Sequence, residues 1–121
     1  MLSPPINLLI VDDDPAIVSF LTLVLTDAGY HVRSAYDAAG AMHALNADRP
    51  DMILLDYAMP RVSGRDVLLQ IRTTDMADIP IIIMSATVRA ERCIEEGATA
   101  FLPKPFEVDE LLACLEQYTP I

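Results

Sequence analysis

Short apolar runs alternate along the chain with longer segments in which apolar residues recur every three or four positions. Asn7 to Val11 (NLLIV) is the first run and reads as a buried strand. Asp14 then stands at a helix N-cap and Pro15 at the first helical position, where a missing N–H is harmless. Ile17, Phe20, Leu21, Val24 and Ala28 follow at helical spacing, and Gly29 falls where a C-terminal cap belongs. His31 to Ala35 is a second, weaker strand. Asp37 caps a helix to about Asn46, with Ala41, Met42 and Leu45 on one face, and Arg49-Pro50 breaks the chain.

The alternation continues. Met52 to Leu55 is a third strand, and Gly64 to about Arg72 a helix with Val67, Leu68 and Ile71 on one side. Pro80 opens IPIIIM, a fourth strand whose unbroken apolar run implies cover on both faces. Arg89 to Glu96 is a short helix ending at Gly97, and Ala98 to Leu102 a fifth strand. Val108 to about Tyr118 is the last helix, with Glu107, Asp109 and Glu110 near its positive end. Five strand–helix units in strict alternation predict an α/β domain: a parallel sheet, right-handed crossovers and helices on both faces. We expect one domain over 1–121, with a core of about 6–118.

Composition narrows the function classes. The 121 residues suit one domain, and 53% hydrophobic residues supply its core. No apolar stretch is long enough to span a membrane. The start MLSPPIN lacks the basic and apolar regions of a signal peptide, so a cytoplasmic setting is expected. The net charge of -10 argues against nucleic-acid binding and leaves a divalent cation or a basic partner open. Cys93 and Cys114 are far apart without CxxC spacing and are expected to be reduced structural thiols. His31 and His43 lack partners at ligand spacing.

In an open parallel sheet, ligands bind beyond the carboxyl ends of the strands. Asp12 and Asp13 follow strand one, and Asp56 follows strand three. Ser85, with Ala86 and Thr87, follows strand four, and Lys104, between Pro103 and Pro105, follows strand five. Strand two ends without an acid or base. Carboxylates about 4 Å apart repel by ~4 kcal/mol at an effective dielectric of 20. A hard divalent cation removes that cost, and Mg²⁺ typically takes one or two carboxylates. Asp12 and Asp13 thus read as a metal seat, and Asp14 as a cap facing away.

Four motifs then stand in order: IVDDDP at 10–15, LLDYAMP at 54–60 with Gly64, IIIMSA at 81–86, and GATAFLPKPF at 97–106. With them the chain resembles, over nearly its whole length, the CheY-like receiver domain of two-component response regulators. The resemblance implies a flavodoxin-like (βα)5 fold with strand order 2-1-3-4-5. It implies that Asp56 accepts a phosphoryl group from a histidine kinase or histidine phosphotransfer protein. Asp13 and Asp56 would ligate Mg²⁺ (or Mn²⁺) directly, with the main-chain carbonyl of Ala58, and Asp12 would help through a water. Lys104 would pair with the phosphoryl group. Ser85 would hydrogen-bond one of its oxygens and draw the following loop inward, with Phe101 as the switch aromatic. A cis peptide is expected between Lys104 and Pro105. The implied activity is that of a phosphorylation-dependent switch acting on a downstream protein or output domain. It would be a monomer or weak dimer that promotes only its own phosphoryl transfer and dephosphorylation.

The chain departs from the pattern in places. The segment from Ser85 to Lys104 is about one turn short, which predicts a stubby fourth helix. Ser63 stands where the family often has an acid. Ala58 is small, so dephosphorylation is expected to differ from that of a version with a larger residue there. Rival readings fit less well. A flavodoxin-like cofactor binder needs phosphate-binding N–H and hydroxyl groups after strand one, where these aspartates would repel phosphate. A phosphatase with an aspartate nucleophile generally has a second acid two residues on, where Ala58 stands. The alternative within the family is a receiver-like interaction module that acts independently of phosphorylation.

Overall fold

A computed structural model describes residues 5–119. Its elements are β1 (Asn7–Val11), α1 (Pro15–Asp27), β2 (His31–Ala35), α2 (Ala38–Ala47) and β3 (Met52–Asp56), then α3 (Gly64–Arg72), β4 (Ile81–Ser85), α4 (Ala90–Glu95), β5 (Ala100–Pro103) and α5 (Val108–Tyr118). The five strands form one parallel sheet in the order β2-β1-β3-β4-β5, the flavodoxin-like arrangement. In register, Val11 lies opposite Ala35 on one side and Leu55 on the other. Asp56 lies opposite Met84, and Ser85 opposite Pro103.

The continuous apolar strands divide their side chains between two faces, because successive residues point opposite ways. Leu9, Val11, Ile53, Leu55, Ile81 and Ile83 pack with residues of α2, α3 and α4, among them Leu45, Leu68 and Cys93. Leu8, Ile10, Met52, Leu54, Ile82 and Met84 pack with α1 and α5 through Leu21, Leu25, Leu111 and Leu115. All five residues of β3 and all five of β4 are buried, as their composition predicts for central strands.

The helix ends follow the expected cap chemistry. The Asp14 carboxylate accepts the Ala16 N–H at 3.0 Å and the Asp37 carboxylate the Gly40 N–H at 2.6 Å. Gly29 takes φ 101°, which lets Tyr30 N–H turn back to the Leu25 carbonyl. β5 begins at Ala100, later than the sequence pattern suggests, because Gly97 (φ 110°) turns the chain and Ala98 N–H closes onto the Cys93 carbonyl. β3 runs one residue further than expected and includes Asp56. α4 is the short helix predicted, six residues with no side-chain cap from Arg89. Among the described residues no helix is long and apolar enough to cross a membrane.

Candidate functional site

β1 and β3 are neighbours, yet the chain leaves β1 for β2 on one side and later reaches β3 on the other. That reversal opens a crevice at their carboxyl ends. Asp12 sits there 1% exposed, its N–H bonded to the Ala35 carbonyl at 3.2 Å. Asp56 ends β3 and is 5% exposed, while Asp13 faces solvent. Oxygens of the three carboxylates lie within 4.8 Å of one another. Lys104 arrives from β5, its N–H held by the Ser85 carbonyl at 2.9 Å. Its ammonium donates to Asp12 Oδ2 and to Asp56 Oδ1, both at 3.1 Å. The second Asp12 oxygen accepts the Asp14 N–H at 3.0 Å.

Burial pushes the Asp56 carboxyl above its ordinary range, and the Asp12 charge adds to this; Lys104 pulls it back without cancelling the rise. Burial alone would lower the Lys104 ammonium, but the Asp56 and Asp12 carboxylates outweigh it and hold the cation above its usual value. Three carboxylates against one ammonium leave an excess of two negative charges when all are ionised. Hard oxygen donors in close reach, one of them open to solvent, suit a divalent cation such as Mg²⁺. Among the described residues this is the one group of three or more acidic, histidine or cysteine side chains within ligand reach of each other.

The loop after β3 packs tightly on the strand. Gly64 N–H donates to the Tyr57 carbonyl at 2.8 Å, and a Cβ at Gly64 would lie 2.0 Å from the Asp56 carbonyl oxygen. Only glycine permits α3 to start that close to the strand end. Ser63, in the place of the family's frequent acid, caps α3 by accepting the Asp66 N–H at 3.3 Å. The S-x-x-D spacing at 63–66 carried that signal. Ala58 is exposed in this loop.

The structure therefore brings Asp12, Asp13, Asp56 and Lys104 together. Ser85 is 2% exposed on the same edge; its Oγ accepts the N–H groups of Thr87 and Val88, each at 3.1 Å, and so shapes its own loop. Phe101 is half-buried against the α2–α3–α4 core face, opposite Ile83 in the sheet. The Lys104–Pro105 peptide is cis, as the resemblance implies. His31 pairs with Asn7 at 2.9 Å, away from the acidic cluster, and both cysteines are free. Four residues carry roles that the sequence pattern did not indicate. The Tyr57 hydroxyl and the Arg65 guanidinium both bind Glu96, and Arg72 binds backbone carbonyls around Gly97. Their partners lie beyond any local motif, up to 39 residues away.

Fold and site together define an open, doubly wound α/β domain whose switch point holds an acidic pocket closed by a lysine. The chain belongs to the response regulator receiver domain family, whose model matches residues 8–116. It is 41% identical over 112 residues to the response regulator MprA of Mycolicibacterium vanbaalenii, and 40% identical over 111 residues to MprA of Mycobacterium bovis. These alignments cover 90% and 89% of the chain and 48% of each relative, so the chain spans about half the length of the curated relatives it matches. Among solved structures, chemotaxis protein CheY4 of Vibrio cholerae aligns with TM-score 0.88 and 30% identity, covering 94% of this chain and 98% of that one. The receiver domain of NtrX from Brucella abortus aligns with TM-score 0.86 and 30% identity, covering 93% and 97%.

Proposed function

We propose that this chain is a phosphoacceptor switch in which Asp56 takes a phosphoryl group from a phosphohistidine on a histidine kinase or phosphotransfer protein. The observation that carries the reading is the Lys104 ammonium, 3.1 Å from both Asp56 and Asp12 at the sheet's switch point. An Asp56 carboxylate oxygen attacks phosphorus, the P–O bond forms as the P–N bond breaks, and the leaving imidazole takes a proton from solvent water. Lys104, freed from part of its carboxylate pairing, meets the transferred oxygens as a compact charge. Ser85 donates its hydroxyl to one of them. Phosphoryl transfer of this kind needs positioning and charge neutralisation more than covalent assistance. Asp13, Asp56 and the Ala58 carbonyl would hold Mg²⁺, with Asp12 acting through a water, and the ion would neutralise charge on the phosphoryl group.

An apolar groove beside the pocket supports docking of a donor protein there. The groove, of about 380 Å³, is lined by Ile17, Phe20, Leu21, Pro105 and Phe106 and opens next to Lys104. Phe20 is 51% exposed there. Phosphorylation adds roughly -1.5 to -2 charges, which biases the loop after β4, with Ser85 and Phe101, toward a second arrangement read by a downstream protein or output domain.

Intact mass after incubation with Mg²⁺ and a small phosphodonor tests the reading. The expected result is one added phosphoryl group, absent without metal and absent in Asp56→Ala. No addition to folded, Mg²⁺-bound protein would overturn it and favour a phosphate-independent interaction module.

A further inference from the structure

Asp56 and Tyr57 are consecutive but serve opposite faces of the sheet. Asp56 ends in the acidic crevice. The Tyr57 ring packs on the core face shared with α2, α3 and α4, and its hydroxyl donates to Glu96 Oε1 at 2.9 Å. The other oxygen of Glu96 pairs with Arg65 from the first turn of α3, and Arg92 approaches it to 3.9 Å. The Glu96 side chain is 12% exposed. Burial pushes its carboxyl up, but the hydrogen bonds from Arg65 and Tyr57 outweigh that and hold it below its ordinary value. A largely buried charge, shared by donors from the loop after β3 and from α3, thus closes the end of α4.

α4 has few other anchors. Cys93 is its one buried residue, and its N-cap Arg89 makes no side-chain cap. The loop before it hangs on the Ser85 hydroxyl. Beyond its end, Arg72 separately holds the Gly97 carbonyl at 2.8 Å, which leaves Gly97 as a pivot if Glu96 lets go.

We propose that Tyr57, Glu96 and Arg65 form a latch that pins α4 to the phosphoacceptor strand, and that loading Asp56 with a phosphoryl group is opposed by this latch and releases it. The inference rests on Asp56 being the acceptor. No residue intervenes between the reacting carboxylate and the latch tyrosine, so a shift of the Asp56–Tyr57 peptide acts directly on the hydroxyl. A hydrogen bond weakens steeply once distance and angle leave a narrow range. Tyr57 is in this sense a positioning residue: it touches no reacting atom.

The test is amide hydrogen exchange on the 121-residue chain in Mg²⁺, with and without beryllofluoride as the phosphoryl analogue, together with the beryllofluoride affinity. Tyr57→Phe keeps the ring and removes the hydroxyl; Glu96→Gln keeps the shape and removes the charge. In both variants amides of 90–97 are expected to exchange about tenfold faster, with β1 and β3 unchanged. Beryllofluoride is expected to bind both variants about tenfold more tightly, and by reciprocity to speed α4 exchange in the wild type. Unchanged α4 exchange in both variants would overturn the latch. Faster α4 exchange with unchanged or weaker beryllofluoride binding would overturn the coupling, since a merely structural tether moves only the first readout. If Mg²⁺ binds the wild type and beryllofluoride does not, the acceptor reading and the coupling fall together, while α4 exchange still decides whether the tether exists.

Discussion

Two half-buried cations hold opposite regions of this molecule, and they do so differently. Lys104 stands between two carboxylates at the carboxyl edge of the sheet. Arg72, the last residue of α3, donates instead to neutral groups. Its Nε reaches the Gly97 carbonyl at 2.8 Å, and Nη1 the carbonyls of Ala77 and Ile79 at 2.8 and 2.7 Å. Nη2 reaches Thr99 Oγ1 at 3.2 Å, and that hydroxyl in turn accepts the Ile81 N–H at 2.9 Å. The fixed fork of a guanidinium fits several carbonyls at once, whereas an ammonium is a point charge that can change partners. The electrostatics follow. Carboxylate neighbours outweigh burial at Lys104 and raise it. Burial dominates at Arg72 and lowers it, with only nearby Asp78 opposing. The Arg72 region is a finished structural joint. The Lys104 region keeps surplus negative charge, an arrangement that suits a divalent cation.

The sharpest way to break this contrast is to remove the joint. Arg72→Met is expected to lower the unfolding free energy by about 2 kcal/mol, because the partly buried carbonyls of Gly97 and Ile79 lose a charged donor. Arg72→Lys should restore less than half of that. Urea denaturation checks both, and a loss below about 1 kcal/mol for the methionine variant would remove the joint from the account.

A cation should act only on the other region. Mg²⁺ at about 100 times its dissociation constant is expected to stabilise the wild type by ~2.7 kcal/mol, and Arg72→Met by the same amount. Asp13→Asn should lose most of this gain. An Asp13→Asn protein that responds to Mg²⁺ like the wild type would place the ion elsewhere.

Asp56 supplies a smaller, pH-dependent effect. Its folded value is raised above the ordinary 3.8, so between the two values the native state binds more protons than the unfolded chain. The contribution of this group to stability therefore falls as pH rises through that window. Asp56→Asn removes the decline and is expected to add about 1 kcal/mol at neutral pH without metal, roughly 3–5 °C in Tm. Thermal scans against pH on both proteins isolate the difference. A variant less stable than wild type at neutral pH would mean that Lys104 more than offsets the burial of Asp56.

The smallest effect belongs to Lys104 itself. With its folded value raised above 10.5, its contribution is full below that pH and is lost as pH rises through the folded value. Lys104→Met should flatten the alkaline limb of the stability curve by less than about 1 kcal/mol. An unchanged limb would show that the ion pair adds nothing net.

The sequence by itself determined the elements and most of the site. Local chemistry decides strands and caps: continuous apolar runs make central strands, and Asp14, Asp37 and Gly29 act within their own turns. Asp12, Asp13, Asp56, Ser85 and Lys104 were legible because parallel strands place their following residues on one edge. What the tertiary structure alone decided is who meets whom across that frame. Lys104 pairs with Asp12 and Asp56 and does not reach Asp13. The Ser85 oxygen turns to its own loop, Tyr57 finds Glu96, and Arg72 finds Gly97. These contacts join residues separated by up to 92 positions, and they depend on rotamers and on helix placement to within an ångström or so. Periodicity carries no information at that scale. It specifies which face a residue takes, and only the assembled fold specifies which neighbour waits there.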